Sequence, residues 1–320
     1  MNMIDEVLER PEFKDNPPVL VDIGASGAIH REWKAIARHS IGIAFDADDR
    51  EMDYIVHESS AFRKLLVYKR VVIDHKTPGD ESFFLTRSPY CSSLLEPDNE
   101  SLKNWAFGEL FEVERKVTLK AVVLPDVLRE HSIRQIDWFK TDSQGIDQRL
   151  FESLGPELLR RVLVADFEPG IIDVYKNEDK LWSLMRAMDR YPFWMSDFGL
   201  HGSQRIDRSL ADHKLSRLER RFVHLLIRAS PGWGEVSYMN SFQEEAHMGI
   251  REYLLAWVFA AIKRQDGFAL ELAGKGAGRF NDPMFARLEK QSLSRIKRGL
   301  LKLPIYACRS ILRRTIAAFQ

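Results

Sequence analysis

The feature that most constrains the fold is a series of short apolar runs, each rich in β-branched residues and each followed by an acidic or glycine-containing turn. The clearest runs are Val19–Ile23, Ile41–Phe45, 136–140 and 162–167. A strand that is covered on both faces does not need to alternate apolar and polar residues, so these runs predict buried parallel strands. Segments of helical periodicity separate the runs, which predicts βαβ units and a mostly parallel sheet.

Weaker patterns complete the expected α/β domain and indicate a different C-terminal region. Residues 67–74 predict a third strand, and residues 30–39 predict a helix between the first two strands. Longer helical patterns then take over, so we expect an α/β domain over residues 1–242 and a helical extension over residues 243–320. A glycine-rich stretch at 274–278 predicts a break within that extension.

The composition of the 320 residues is that of an ordinary globular chain, with 45% hydrophobic and 29% charged residues. The two cysteines, Cys91 and Cys308, offer neither a metal-ligand pattern nor a disulfide framework. The N-terminus lacks the regions of a secretory signal, and the longest apolar run, 253–262, is about half the length of a membrane-spanning helix. We therefore expect a cytoplasmic location. The formal net charge of zero argues against a globally basic nucleic-acid-binding protein.

The basic tail, residues 285–320, is the exception to this charge balance. It carries nine Lys and Arg residues and one acid, a formal charge of +8, so the rest of the chain has a formal charge of −8. Leucines and isoleucines interleave with the basic residues as in an amphipathic helix. Two interpretations stay open: the tail packs its apolar face on its own domain or a partner, or it contacts the anionic inner face of a membrane peripherally. Because aromatic residues do not interleave with the basic ones, nucleic acid is not an expected partner.

The residues best placed to bind a ligand follow the predicted strands. In an open α/β sheet, ligands bind beyond the carboxyl ends of the strands, where Asp46, Asp142 and Glu168 fall. The loop after the first strand is rich in small residues, and Gly24 and Gly27 can adopt positive φ and admit a ligand close to the backbone. An acid at the position of Asp46 can accept hydrogen bonds from both hydroxyls of a ribose.

Two kinds of nucleotide ligand compete for such a site. A dinucleotide site usually has the pattern G-x-G-x-x-G, which holds a pyrophosphate, and the loop Gly24-Ala25-Ser26-Gly27 lacks it. S-adenosylmethionine has no phosphate and needs only a close backbone approach and an acid for its ribose, so it fits better. Another nucleotide-dependent α/β enzyme, such as an oxidoreductase, remains an alternative.

Five segments give the chain a family resemblance. They are 21–27, 44–48, 92–94, 139–145 and 166–168, and they read VDIGASG, AFDAD, SSL, FKTDSQG and DFE. In this order the chain resembles the FkbM-type S-adenosylmethionine-dependent methyltransferases over roughly residues 17–200. The resemblance implies a class I, Rossmann-like methyltransferase fold, with seven mostly parallel strands, helices on both faces and an antiparallel last strand. It also implies O-methylation of a hydroxyl on a sugar, a glycan or a related bacterial metabolite.

The resemblance assigns roles by position. It places Asp142 at the reaction centre with Glu168 across from it, and it places Asp46 at the ribose. The sequence departs from the family pattern at Ser26, at Ala47 and at Asp147, where the family commonly has Asn, Pro and Glu. The expected cofactor-binding residues are Asp22, Gly24, Ala25, Ser26, Gly27, Asp46, Ser92 and Ser93.

The reaction implied is an in-line displacement, in which a base that removes the proton of the acceptor hydroxyl helps. Asp142 and Glu168 are the candidate bases, because repulsion between two close carboxylates would raise the pKa of one of them. A divalent cation held by Asp142, Asp166 and Glu168 is an alternative way to activate the hydroxyl. A catalytically inactive methyltransferase-like binding or scaffold protein is a third hypothesis, motivated by the loop departures and the long extension.

Overall fold

The computed structural model describes residues 2–25, 29–48, 50, 60–75, 77, 79–244 and 248–300. Two of the expected cofactor-binding residues, Ser26 and Gly27, lie outside the described residues, as does the end of the basic tail from residue 301. The chain forms two compact units: an α/β unit, residues 17–247, and a helical unit that combines residues 1–16 with 248–320. The first 16 residues thus group with the C-terminal helices, which their sequence did not indicate.

The α/β unit is built on a sheet of seven strands. The described strands are β1 (Val19–Ile23), β2 (Ile41–Phe45), β3 (Lys64–Tyr68), β4 (Val71–Ile73), β5 (Asp80–Thr86), β6 (Val113–Val123), β7 (Trp138–Thr141), β8 (Val164–Phe167), β9 (Phe193–Gln204) and β10 (Ala229–Asn240). The seven-stranded sheet has the order β3-β2-β1-β7-β8-β10-β9. Its first five strands are parallel, and β10 is antiparallel to both of its neighbours. The prediction of an α/β fold with a mostly parallel seven-stranded sheet is therefore confirmed.

Helices connect the strands and form most of the second unit. The described α-helices are α1 (Met3–Leu8), α2 (Pro11–Lys14), α3 (Asn99–Leu102), α4 (Leu124–Glu130), α5 (Asp147–Glu152), α6 (Gly155–Leu159), α7 (Leu181–Met188), α8 (Arg208–Lys214), α9 (Arg217–Arg221), α10 (Val223–Leu226), α11 (Ile250–Ile262), α12 (Asp266–Arg279) and α13 (Pro283–Leu300). Residues Arg31–Ala35 and Ala37–His39 form 3-10 helices instead of the single helix predicted over 30–39.

Both faces of the large sheet are covered, because successive residues of a strand point to opposite sides. Phe139 of β7 belongs to the core that includes Leu150 and Phe151 of α5. Trp138 points the other way and meets Trp33 of the first 3-10 helix, edge to face, at a ring distance of 6.0 Å. The sheet therefore lies between α-helices and a pair of 3-10 helices, and its carboxyl edge stays open for a site.

The strand predicted over residues 67–74 is wrong. The apolar run covers the end of β3 and all of β4, and the two charged residues Lys69 and Arg70 separate them. β3 pairs with β2 in the large sheet, whereas β4 pairs with β6 in a second sheet of order β4-β6-β5. A hydrophobic pattern indicates burial but does not indicate which sheet buries the strand.

The helical unit is held by packed helices and by ion pairs to the N-terminal segment. Ten of the 13 residues of α11 are buried. Arg10 pairs with Asp282 at 2.5 Å, and the Arg251 guanidinium donates to the Asn16 carbonyl at 2.9 Å. Among the described residues, no helix is both long and apolar enough to span a membrane.

The glycine-rich break predicted at 274–278 is also wrong, since α12 continues through it. A Cβ on Gly276 would lie within 2.3 Å of two atoms of the Phe285 ring. The glycine therefore allows α12 and α13 to approach closely, a use of glycine that its helix propensity does not reveal.

The described part of the basic tail shows two different sides of α13. Phe285 and Leu288 are buried, and the hydroxyl of Ser292 accepts a hydrogen bond from the Trp257 indole at 2.9 Å. Leu293 and Ile296 are exposed on the same helix. One side of α13 thus packs within its own unit while the other carries exposed apolar groups.

Candidate active site

A cleft, which we call the polar cleft, lies at the carboxyl ends of β1, β2 and β7. Its polar lining includes Asp46, Asp48, Ser92, Asp142 and Gln144. The edge of the sheet that the sequence predicted for ligand binding is therefore concave.

Gly24 lines this cleft and allows two strand ends to meet. Its φ is +79°, and a Cβ there would lie 2.1 Å from the carbonyl oxygen of Asp142. The N–H groups of Gly24 and Ala25 both donate to the Phe45 carbonyl, at 2.9 and 3.1 Å. Ala25 is buried and does not line the cleft. The glycine is thus required by a close backbone approach, and these two amides already have protein partners.

Asp22 holds the base of the loop and does not line the polar cleft. Its carboxylate is fully buried, lies 2.9 Å from the Lys140 ammonium and accepts a hydrogen bond from the His30 N–H at 3.0 Å. Burial opposes the charge of Lys140, but Asp22 and Asp142 together raise the pKa of Lys140 above its ordinary value. This buried ion pair joins β1 to β7, so the structure gives Asp22 a positioning role.

Asp46 lines the cleft directly after β2, as predicted, and is nearly buried. Its carboxylate accepts a hydrogen bond from the Asp48 N–H at 2.9 Å. The Asp48 carboxylate pairs with Arg50 at 2.5 Å and accepts from the Ser92 hydroxyl at 2.9 Å. Although burial opposes ionisation, these hydrogen bonds lower the pKa of Asp48. Sequence reasoning missed Asp48, whose only signal is a second acid two residues after Asp46.

The two serines of the Ser-Ser-Leu segment have different positions. Ser92 lines the polar cleft and belongs to the Asp48–Arg50 network. The Ser93 hydroxyl instead donates to the Gln144 carbonyl at 2.7 Å and accepts from the Leu95 N–H at 3.0 Å. Ser93 therefore fixes the loop after β7 and does not line the cleft.

That loop carries Asp142 and Gln144. The Gln144 amide nitrogen lies 2.5 Å from the Asp142 carboxyl, and its amide oxygen lies 2.9 Å from the hydroxyl of Tyr175. Gln144 has a φ of +56°, which is uncommon for a residue other than glycine and typical of functional sites. Burial raises the pKa of Asp142, and the charge of Lys140 only partly opposes this rise.

Glu168 lines a second cavity, of about 300 Å³, which we call the aromatic cavity. The aromatic residues in its wall are Tyr90, Phe107, Phe111, Tyr175 and Trp233. Burial, followed by the nearby charge of Asp142, raises the pKa of Glu168 well above its usual range. The cavity shares Tyr90 and Gln144 with the polar cleft, so the two spaces adjoin, and Asp142 lines the cleft while Glu168 lines the cavity.

Asp147 fixes the strand ends that carry these two acids. It is buried and accepts from the Thr141 hydroxyl at 3.0 Å and from the Ser143 N–H at 2.9 Å. Its second oxygen accepts from the Glu168 N–H at 3.0 Å. One side chain therefore ties the ends of β7 and β8 together, at the position where the resemblance places an acid.

Cys91 also borders the aromatic cavity. Burial raises the pKa of its thiol to about 11, so the group is a protonated thiol at neutral pH. A protonated, buried thiol is not an activated nucleophile.

The carboxylate set suggested for a divalent cation does not come together. Asp166 lies with His30 and Glu32, and the His30 Nε2 is 3.7 Å from the Asp166 carboxylate and 3.4 Å from that of Glu32. Asp166 also accepts from the Trp138 indole at 2.7 Å. Asp142 lines the polar cleft and Glu168 lines the aromatic cavity, whereas Asp166 lines neither space. In the described part of the chain, His30, Glu32 and Asp166 are the three side chains spaced closely enough to share an ion.

Comparison with known proteins does not assign the chain to a family. No protein-family model matches the sequence, and no curated protein matches it either.

Proposed function

We propose that the α/β unit is an S-adenosylmethionine-dependent O-methyltransferase of the class I fold, acting on a hydroxyl of a sugar, a glycan or a related bacterial metabolite. The observation that carries the proposal is the junction of the polar cleft, which holds Asp46, with the aromatic cavity, which holds Glu168. The seven-stranded order with one antiparallel strand, next to last at the sheet edge, supports the class I assignment. The resemblance of five segments to FkbM-type enzymes supports it further.

The polar cleft has the features that S-adenosylmethionine needs. Gly24 lets the ends of β1 and β7 approach closely at the cleft, and the Asp46 carboxylate beside it can accept hydrogen bonds from a ribose. When bound, the cofactor supplies a methyl group on a sulfonium, which is reactive toward an oxygen nucleophile. The protein has to hold the acceptor oxygen in line and keep water away.

Glu168 is the base that we propose for the acceptor hydroxyl. Only the ionised carboxylate can take the proton of the hydroxyl. Because burial raises the pKa of Glu168 to about 9, this form is a minority at neutral pH but a stronger base than an ordinary carboxylate. Asp142 raises the pKa of Glu168 further, and the two groups titrate as a pair. Gln144 orients Asp142, and Tyr175 in turn orients Gln144.

The lining of the aromatic cavity favours an acceptor that has flat apolar surfaces and hydroxyl groups, such as a sugar ring. Trp233 stacks between Phe107 and His201, with ring distances of 6.0 and 5.5 Å. Pockets of this kind use apolar walls for affinity and a few polar groups for orientation. The carboxyl of Glu168 and the amide of Gln144 are polar groups of this wall.

The exposed side of α13 supports a peripheral membrane contact as part of this proposal. Leu293 and Ile296 are exposed there, and Leu293 lines an open surface groove together with Lys290, Lys297 and Arg298. Basic and apolar groups on one side of a helix favour an anionic lipid surface.

Calorimetric titration of the full-length protein with S-adenosylmethionine and with NAD tests the central assignment. We expect binding of S-adenosylmethionine alone. Binding of NAD alone would favour the oxidoreductase, and binding of neither would contradict the proposal. Binding of S-adenosylmethionine without methyl transfer to any member of a panel of methyl glycosides would favour a scaffold protein.

A further inference from the structure

Three short helices form an arm between the last two strands of the large sheet. The arm, residues 205–228, contains α8, α9 and α10, and all of its residues are described. None of the side chains in these three helices is buried. Its exposed large apolar residues are Leu210, Leu218, Phe222, Leu225 and Leu226. Leu225 is 73% exposed and Leu226 is 64% exposed. A concentration of exposed apolar side chains marks an interaction surface.

Four of these side chains share one side of the arm. The chain is nearly continuously helical from residue 217 to residue 226, because the Phe222 N–H donates to the Leu218 carbonyl and the Leu226 N–H donates to the Phe222 carbonyl, each at 3.2 Å. Leu218, Phe222, Leu225 and Leu226 follow the spacing i, i+4, i+7 and i+8. This spacing places them in one stripe along the helix.

Basic residues flank this stripe. The arm carries seven Lys and Arg residues and three acids, a formal charge of +4 within a chain whose net charge is zero. Arg221, and at a greater distance Arg217, follow a spacing that places them on one side of the apolar stripe. Arg220 falls on the opposite face and pairs with Asp212. The Arg221 guanidinium lies 5.9 Å from the centre of the Phe222 ring. A helix with Leu and Phe on one face and a basic flank is typical of a helix that lies in a lipid interface.

We propose that the arm docks on an anionic lipid bilayer, with its four-residue stripe among the acyl chains and its arginines at the lipid phosphates. Charge complementarity favours lipid phosphates as the partner of a surface with this excess of arginine. The proposal requires neither the methyl-transfer reaction nor the basic tail.

The position of the arm adds one consequence, which rests on the proposed function. The Arg208 N–H donates to the Lys103 carbonyl at 3.0 Å, and the Ala106 N–H donates to the Gln204 carbonyl at 3.0 Å. The arm is thus anchored beside Phe107, which lines the aromatic cavity. Docking would bring the proposed acceptor cavity close to the lipid surface, where an acceptor carried on a lipid could enter it.

Vesicle co-sedimentation of the full-length protein tests the docking. Wild-type protein should pellet with vesicles of phosphatidylcholine and phosphatidylglycerol and stay in solution with phosphatidylcholine alone. The double variant Leu225→Asp/Leu226→Asp should lower the affinity for the anionic vesicles by about tenfold or more. Trp182→Asp is the matched control, because Trp182 is 68% exposed on α7, outside the arm, and its binding should equal wild type.

A second variant distinguishes vesicle binding by the arm from vesicle binding by the helical unit. Leu293→Asp/Ile296→Asp removes the exposed apolar groups of α13 and leaves the arm intact. If this variant loses binding while the arm variant keeps it, the arm proposal is wrong. The proposal is also wrong if wild-type protein does not pellet with the anionic vesicles. Circular dichroism should show that all variants melt as wild type does, since none of these side chains is buried.

Sedimentation velocity without lipid tests whether a second copy of the chain covers the apolar stripe instead of a bilayer. We expect the same oligomeric state for wild type and for Leu225→Asp/Leu226→Asp. If the substitution dissociates an oligomer, the stripe is a contact between copies of the chain and the docking proposal fails.

Discussion

The polar cleft and the aromatic cavity share Tyr90 and Gln144, but the pKa of Asp48 in the cleft and the pKa of Glu168 in the cavity are shifted in opposite directions. In the polar cleft Asp48 is paired with Arg50 and its pKa is lowered. Among the residues that the structure describes, no ion pair or hydrogen bond holds the Glu168 carboxyl, and its pKa is raised. The ion pair with Arg50 stabilises the charged form of Asp48, which can bind a ligand. Burial stabilises the protonated form of Glu168, whose proton can be exchanged.

The comparison predicts that removing the Glu168 carboxyl affects chemistry and not cofactor binding. Glu168→Gln should lower methyl transfer by about 10²–10⁴-fold, because general-base assistance contributes that much. The measurement is transfer of labelled methyl from S-adenosylmethionine to the methyl glycoside panel, with calorimetry of cofactor binding beside it. Asp173→Asn, an exposed acid of the same region, is the control and should keep full activity. Normal transfer by Glu168→Gln would place the base elsewhere.

The opposite result is expected for the acid of the polar cleft. Asp46→Asn should weaken the affinity for S-adenosylmethionine by about 10- to 100-fold, since hydrogen bonds to a charged group contribute roughly 1.5–3 kcal/mol. Calorimetric titration measures the change. Asp74→Asn, a partly exposed acid at the end of β4, should bind as wild type does. An unchanged affinity for Asp46→Asn would refute the ribose assignment.

The raised pKa of Glu168 also has a consequence for stability. The folded state holds this proton more tightly than the unfolded chain, so stability falls as the pH rises from about 4.3 through the folded pKa. Glu168→Gln lacks this loss and should be more stable than wild type by about 1–2 kcal/mol at pH 8. Thermal unfolding at pH 5 and pH 8 measures the difference.

The sign of the pH dependence distinguishes this explanation from a packing effect. The advantage of Glu168→Gln over wild type should shrink at pH 5, where wild type keeps its proton. An advantage that is equal at both pH values would show that ionisation of Glu168 does not destabilise the fold.

The smallest effect is expected at the junction of the two spaces. Tyr175→Phe removes the hydroxyl that lies 2.9 Å from the Gln144 amide and 2.7 Å from the Cys91 carbonyl. Loss of one neutral hydrogen bond is worth about 1 kcal/mol, so turnover should fall by about fivefold while cofactor affinity stays the same. A shift in the pH profile of turnover would show that Tyr175 acts through Gln144 on Asp142. A change of stability alone would limit Tyr175 to a structural role.

The polar cleft was largely predictable from the sequence, and the aromatic cavity was not. Gly24, Asp46 and Asp142 each directly follow a strand that its own apolar run predicts, and parallel strands bring such residues to one edge. Phe107 and Trp233 are far apart in the sequence and belong to no periodic pattern, yet their rings stack at 6.0 Å. Only the folded chain brings them together.

Three site residues show where position in the sequence misleads. Asp22 follows the same logic as Asp46, but it lies within β1 and faces Lys140 across the sheet instead of the cleft. Asp166 and Glu168 are two residues apart, yet one joins His30 and the other lines the aromatic cavity. The side to which a strand-end residue turns depends on where the strand stops, and the sequence defines that only to within a residue or two.

By itself, the sequence determined the α/β class, the strands β1, β2, β7 and β8, and the acids at their carboxyl ends, because each depends on a local run of buried residues. Tertiary structure alone decided that one apolar run serves two sheets, at β3 and β4, and that α12 continues through its glycines so that Phe285 can pack on Gly276. It also decided that Glu168 meets an aromatic wall. Contacts between distant residues follow from how the elements pack, and the pattern of a segment does not indicate which other segment it packs against.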